Sequence, residues 1–418
     1  MLARRRAAVG AGVPAAAVAA PRAHPSSLAP VSRQAWTRLA ACTGAAALLQ
    51  VDGTLITVAL PTVASGLGIT SASTSIVLSA YFAAYALTLW PGGALVDRLG
   101  ARQVALCGLA LFALGAGAGA LCTSLGALTA TRVLQGAGAG LVSPAALAGA
   151  VSGFPPDRRG HALGIWGASA GVSNLLGPLL GGLLTVAFGW RANWWALVPL
   201  SLIAAWAIAV HMPRSKPSRA TNPNHVVRNR IVLAATFVAA LTFAVMIGTF
   251  FLAEQYLQRA AGYSALGAST VLMLVALLVG VAAPVTGRLA DRHGERLPAT
   301  AGFLTAAVGL LVLGLPGMPL QSVGTLAPLV PVGLGLGMLF VPVSRAALNA
   351  VPSASHGRAS AVLSIGRLTG AAVGAALAGI ALSGGPSASA VHTALLIACA
   401  GCLVGGLPAC MFLRAPSR

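Results

Sequence analysis

Hydrophobic residues run along this chain in long blocks, and polar residues gather in short intervals between them. A helix needs about 20 apolar residues to cross a hydrocarbon core of about 30 Å. Blocks of that length occur near residues 37–64, 71–96, 102–122, 125–151, 161–187 and 193–211. A second set follows near 231–254, 265–289, 298–316, 322–347, 358–382 and 390–413. The pattern predicts an all-α membrane protein with twelve transmembrane helices in two pseudo-symmetric six-helix bundles, spanning 35–211 and 231–418. The interval 212–230 turns polar, with Pro213, Arg214, Lys216, Pro217, Asn222, Pro223 and Asn224. It reads as a cytoplasmic linker, too short to hold further spans.

Composition excludes a soluble globular domain, because 57% of the residues are hydrophobic and only 8% are charged, against about 25% charged in soluble proteins. The net charge of +20 raises the question of nucleic acid, but the positions of the basic residues answer it. With the N-terminus inside, Arg191 and Arg259 fall in outer loops, Arg132 lies within helix 4, and Arg345 and Arg367 lie near inner helix ends. The other basic residues lie in the tails and cytoplasmic loops, which is the bias that orients membrane proteins. The expected partners are therefore the lipid bilayer and small molecules, not nucleic acid, with both termini cytoplasmic in a plasma (inner) membrane and the chain a monomer. Residues 1–34 carry Arg4, Arg5 and Arg6 and an Ala-rich middle like that of a weak signal peptide, interrupted by Pro14 and Pro21. They are expected to be a disordered basic cytoplasmic tail, with an upstream translation start as the other reading. The six cysteines mostly sit in apolar runs, where the thiol acts as a small hydrophobe. Cys399 and Cys402 have no neighbouring His or acid, so no metal or redox site is expected.

An internal repeat ties the halves together. Gly93, Leu95, Asp97, Arg98, Gly100 and Arg102 recur as Gly287, Leu289, Asp291, Arg292, Gly294 and Arg296, each pair 194 residues apart. Both copies follow the second helix of their half, as in a duplicated bundle. Glycine lets backbones approach at a helix end, and Asp97 can accept hydrogen bonds from arginines or a helix N-terminus, so the segment can act as a latch that holds one conformation. A basic loop that only sets topology is the alternative. Asp52 and Glu254 are acids inside apolar spans. A carboxylate at a helix centre costs roughly 2.5–3.5 kcal/mol on insertion scales, and such residues usually mark proton or substrate pathways.

The segment from Gly93 to Arg102 resembles the loop 2–3 signature of the major facilitator superfamily. Val51 to Pro61, with Asp52 at the acid, is similar to the helix 1 motif of that superfamily's drug:proton antiporters, especially the 14-helix branch. Arg132 to Gly138 in helix 4 resembles the motif linked in that family to proton transfer, and Gly164, Gly171, Gly177, Pro178, Gly181 and Gly182 resemble its antiporter motif, with Ser173 in place of one glycine. Trp190 and Arg191, Pro199, Tyr256, Leu257 and Gln258, and Gly262, Tyr263 and Ser264 match further, whereas Leu197 stands where an Asn is usual and the linker replaces two helices of the 14-helix branch.

The resemblance implies proton-coupled efflux of hydrophobic or amphipathic compounds such as drugs or antibiotics, by alternating access. Asp52, Arg132 and Gln135 are the proton-coupling candidates. Asp52 and Arg132 count to the same leaflet, as a switch or as a static ion pair. The latch candidates are Gly93, Asp97, Arg98, Gly100, Arg102, Asp291 and Arg292, and the antiporter motif contributes Gly164, Gly177, Pro178, Gly181 and Gly182. Candidates for a substrate cavity are Tyr81, Phe82, Tyr85, Trp166, Phe243, Phe250 and Glu254. The aromatics could equally pack helices, and Glu254 could snorkel at the interface. No P-loop is present, since the sole lysine is Lys216, so a proton gradient and not a cofactor is the expected energy source. No catalytic carboxylate pair or metal-ligand cluster points to an enzyme. A proton-coupled metabolite symporter and a non-transporting membrane sensor or scaffold are the competing readings.

Overall fold

A computed structural model describes residues 31–155, 159–214, 229–316, 326–352, 356–385 and 387–412. Residues 1–30 of the expected tail and most of the linker lie outside the described residues. The described residues form twelve α-helices and a short 3-10 helix at Ala72–Thr74. The first six are α1 (Arg33–Leu67), α2 (Ser75–Leu99), α3 (Ala101–Ala120), α4 (Leu125–Ser152), α5 (Arg159–Phe188) and α6 (Arg191–His211). The second six are α7 (Arg230–Arg259), α8 (Ala265–His293), α9 (Arg296–Gly314), α10 (Leu326–Asn349), α11 (His356–Ala381) and α12 (Ala388–Phe412). Eleven are long and apolar enough to cross a membrane, and α5 carries a shorter apolar run, Leu176–Phe188.

Several helices outrun their apolar blocks because capping, not hydropathy, ends them. Ser32 accepts a hydrogen bond from the Ala35 amide and starts α1 four residues before the apolar limit. Asn229 Oδ1 likewise caps α7 by accepting from the Ile231 and Val232 amides, which satisfies donors that a helix start leaves free. The far end of α7 continues to Arg259 and that of α8 to His293. Gly100 and Gly294 close α2 and α8 with φ of 88° and 76°, a backbone that L side chains rarely adopt. The 194-residue repeat therefore preserves a conformational need at these two glycines.

Twelve crossings bring the start of α1 and the end of α12 to one face, here the terminal face; the opposite face is distal. Within each half the same pairs pack: α2 and α3 on α4, and α8 and α9 on α10. Close approach comes from small residues, as membrane helix packing requires. On α4, a Cβ at Gly136 would strike the Tyr81 carbonyl of α2, and one at Gly138 would strike Gly108 and Phe112 of α3. Large apolar side chains such as Leu202, Ile203 and Trp206 on α6 and Leu403, Leu407 and Met411 on α12 face outward, as a lipid-exposed surface should.

The halves meet at their distal ends. Gln255 of α7 donates to Thr74 Oγ1 at 2.9 Å, Ser79 of α2 donates to the Ala372 carbonyl of α11 at 3.0 Å, and Arg259 donates to the Pro61 carbonyl of α1 at 2.7 Å. Toward the terminal face, an apolar cavity of about 570 Å³ separates Trp90 of α2 from Leu233, Thr236 and Phe237 of α7 and Val362 and Gly366 of α11. The structure is thus closed at the distal face and parted toward the terminal face.

Candidate functional site

Asp52 and Arg132 meet inside the N-terminal half with no exposed surface on either side chain. Arg132 Nη1 donates to both carboxylate oxygens, at 2.8 and 2.9 Å, and to Gln135 Oε1 at 3.0 Å. The grip is through one nitrogen; Nε and Nη2 of Arg132 and Nε2 of Gln135 have no hydrogen-bond partner among the described groups. The Tyr81 ring takes up part of the remaining positive charge, 4.1 Å from the Arg132 Cζ, a cation–π contact that strengthens when desolvated. Tyr81 is itself anchored by donating its hydroxyl to the Leu49 carbonyl at 3.0 Å.

Sequence counting gave α1 a distal end near residue 62 and Asp52 a depth of about ten residues. The helix continues to Leu67, which puts Asp52 fifteen residues, ~22 Å, from that end. Gln135, the third proton-coupling candidate, is bonded to Arg132 alongside Asp52. The enclosure is made by glycine: a Cβ at Gly115 of α3 would press on Gln135, and one at Gly53 on Phe82.

The glycines of α5 address the same segment of α1. A Cβ at Gly177 would overlap the Thr54 side chain, two residues beyond Asp52, and one at Gly181 would meet the Leu55 carbonyl. Gly182, one position on, faces the other half, where a Cβ would strike Ser269, Leu266 and Ala265 of α8. Pro178 is buried between these contacts. One turn of α5 therefore touches both the acid-bearing segment of α1 and the distal seam between the halves. Gly164 lies in the same helix, and its surroundings are outside the described residues.

The repeated loop segments differ in state. Asp97 and Arg98 are exposed and without a polar partner among the described residues, while Arg102 donates to the Ala209 carbonyl at the end of α6 at 2.6 Å. Gly93 has open space where a Cβ would stand, and it is Gly92 that abuts Gly140 of α4. In the second half, Arg292 is exposed and the Asp291 side chain is outside the described residues. There the contact is carried by a residue that the sequence reading missed. Glu295 accepts from Asn349 at 2.9 Å and pairs with Arg345 Nε at 3.8 Å.

Of the cavity candidates, Tyr81, Tyr85, Phe82 and Phe250 are buried in packing, while Trp166 on α5 and Phe243 on α7 keep some surface. Glu254 does not snorkel. It is fully buried, with Oε2 accepting from Gln258 Nε2 at 2.7 Å and Oε1 unpartnered. Gln258 also donates to the Val58 carbonyl of α1 at 2.9 Å, so Glu254 sits in the distal seam. Arg367, assigned by sequence to an inner helix end, instead lies eleven residues into α11, ~16 Å from its start. It donates to Ser344 Oγ of α10 at 2.7 Å and lies over the Phe243 and Phe340 rings at 5.7 and 6.0 Å. Neither Ser344 nor Phe340 carried a signal in the sequence, because their meeting depends on how α10 and α11 pack around α7.

A twelve-helix membrane fold with duplicated halves, a buried acid–arginine pair in the first and a seam that closes one face has the architecture of a secondary transporter. The chain belongs to the Major Facilitator Superfamily, whose model matches residues 42–375. It is 26% identical over 408 residues to multidrug resistance protein Stp of Mycobacterium tuberculosis, covering 82% of this chain and 75% of that protein. It is 27% identical over 412 residues to the tetracenomycin C resistance and export protein of Streptomyces glaucescens, covering 83% and 76%. Methyl viologen resistance protein SmvA of Salmonella typhimurium is 26% identical over 399 residues, covering 81% of each. Among solved structures, a bacterial homologue of the human lysosomal transporter Spinster, in an inward-facing and unoccupied conformation, superimposes with a TM-score of 0.74 at 18% identity, covering 93% of this chain and 100% of that one.

Proposed function

We propose that this chain is a proton-coupled exporter of hydrophobic or amphipathic small molecules, drugs or antibiotics among them, working by alternating access. The observation that carries the reading is the buried Asp52–Arg132 pair beside Gly177 of α5. An acid in that position can take or lose a proton only by remaking its contacts, and α5 links those contacts to the distal seam. A proton drives transport only if its affinity differs between the two states. With Asp52 ionised, Arg132 neutralises it; with Asp52 protonated, Arg132 keeps Gln135 and the Tyr81 ring, and the segment of α1 under Gly177 is freed to shift. The resistance relatives support efflux of small molecules, and the proton gradient supplies the energy with no cofactor.

In this reading the terminal face is cytoplasmic, the membrane is the plasma (inner) membrane and the chain acts as a monomer. Residues 1–34 form a basic cytoplasmic tail, 212–230 form the linker, and 35–211 and 231–418 rock about the cavity between them. The segment around Asp97 is a latch disengaged in this conformation, which engages when the terminal face closes.

The deciding experiment is substrate-driven proton movement in proteoliposomes under an imposed pH gradient, comparing wild type with Asp52→Asn. Proton movement opposite to the solute in the wild type, lost in the variant, supports antiport through Asp52. Movement of both in the same direction establishes symport and overturns the exporter reading. Unchanged coupling in the variant removes Asp52 from the role.

A further inference from the structure

Arg367 is a mid-membrane cation without a counter-ion among the described residues. Arg132 is neutralised by Asp52, Arg345 pairs with Glu295 at the terminal face, and Glu254 sits three turns farther along α7 than Phe243. The described groups around Arg367 are neutral. Ser344 Oγ accepts a hydrogen bond from its Nη2 and donates its own hydroxyl to the Phe340 carbonyl at 2.6 Å, and two aromatic rings lie near its guanidinium. These contacts attract a cation but leave its charge uncompensated.

The direction in which the group faces follows from helix geometry. Phe243, Phe250 and Glu254 fall at spacings of seven and four residues, one face of α7. At its distal end that face is turned to α1, where Gln258 binds both Glu254 and Val58. Phe243 lies three residues distal to Ala240, the last residue of α7 to line the cavity between the halves. α10 and α11 each pack on α7 but barely touch each other, so a side chain running from Arg367 to Ser344 crosses the α7 face that carries Phe243. A crevice large enough for a water molecule opens there, lined by Thr242, Phe243, Phe340, Val343 and Arg367. Arg367 is half-buried, unlike Arg132.

We infer that Arg367, Phe243 and Phe340 form a subsite for the anionic group of an amphipathic substrate, a carboxylate or phenolate carried on an aromatic or apolar body. The guanidinium neutralises the anion while the two rings flank the apolar body, with Ser344 holding the fork in place. The inference rests on the exporter reading and narrows it to substrates that include organic anions.

The test is binding of tritiated naphthoate, neutral naphthamide and naphthylmethylammonium to the purified full chain by scintillation proximity. Wild type should prefer naphthoate over naphthamide by about tenfold or more, as a charge-assisted bond that replaces water predicts. Arg367→Gln should erase that preference while moving naphthamide affinity less than about twofold, and Arg367→Lys should restore most of it. A wild type with no preference for naphthoate, whether all three compounds bind alike or none binds, overturns the proposal. So does an Arg367→Gln variant that keeps the preference or loses all three equally. The binding assay and the proteoliposome proton assay are run on the same wild-type protein: a preference for naphthoate without counter-moving protons fails the exporter reading alone, and proton antiport without that preference fails the anion subsite alone.

Discussion

Gly177 of α5 lies so close to Thr54 of α1 that a single added carbon would overlap the threonine side chain. Two residues before Thr54 stands Asp52, and five after Gly177 stands Gly182, pressed on α8 of the other half. The route from the buried acid to the seam thus runs through two positions where only hydrogen fits. Gly177→Ala would gain about 1 kcal/mol in an open helix. Here it should cost roughly 1–3 kcal/mol through overpacking, lower the melting temperature in detergent, and slow substrate efflux at least tenfold. Thr54→Gly in the same chain should recover part of the melting temperature. A Gly177→Ala protein as stable and active as wild type would remove the close contact from the mechanism.

Asp52 and Arg132 should behave as a unit. Removing either partner leaves a buried charge, at a cost of about 3–5 kcal/mol. The double variant Asp52→Asn with Arg132→Gln should therefore melt higher than either single variant, although all three lose uphill transport. Additive losses in thermal denaturation would mean that the pair is not energetically coupled.

Asp97 is exposed and has no polar partner among the described residues, so Asp97→Asn should leave the stability within about 0.5 kcal/mol of wild type. It should slow transport by weakening the opposite, terminally closed state. Spin labels at Thr70→Cys and Tyr263→Cys on the distal face report the populations, and Asp97→Asn should enrich the short distance. Gly93→Ala belongs to the same test, because open space at Gly93 allows the substitution here without a clash.

Glu254 is buried in the distal seam with one oxygen unpartnered and no cation within ion-pair distance among the described residues. Removing its charge removes a reason for the seam to open. Glu254→Gln should raise the short-distance population between the same labels and reduce turnover severalfold. A shift toward the long distance would show instead that the carboxylate holds the seam shut.

Gly100→Ala and Gly294→Ala each force a side chain into a glycine backbone conformation, at about 1–3 kcal/mol. Both should lower the melting temperature by a similar amount, because the two turns are copies. A loss at one position only would mean that the other turn relaxes.

The membrane architecture was legible because apolar length is nearly a direct readout of a span, and the Asp52–Arg132 pair because two opposite charges at similar depth in hydrocarbon have few other options. Helix ends were less so. Ser32 and Asn229 extend helices through polar residues by capping, which hydropathy does not record. Gly93 drew attention through its repeat, yet Gly92 makes the contact, because which side of α2 faces Gly140 is set by tertiary packing. Arg367 was misplaced for a related reason. Its apolar block, 358–382, began within two residues of the helix start, but its partners Ser344 and Phe340 come from a helix that only the packing around α7 brings near.

The charge of Arg367, unmatched among the described residues, would also make the protein respond to voltage. A full charge crossing 100 mV is worth about 2.3 kcal/mol. With the terminal face cytoplasmic and the cell interior negative, the field draws an empty cavity's guanidinium toward the inward-opening form, the form ready to load. Once an organic anion sits on Arg367 the cavity is neutral and that pull disappears. Membrane potential would then speed the return of the empty carrier while leaving the loaded stroke to the proton, so an electroneutral potassium–proton exchanger, which collapses the pH gradient, and a potassium uniporter, which collapses the potential, should slow different halves of the cycle.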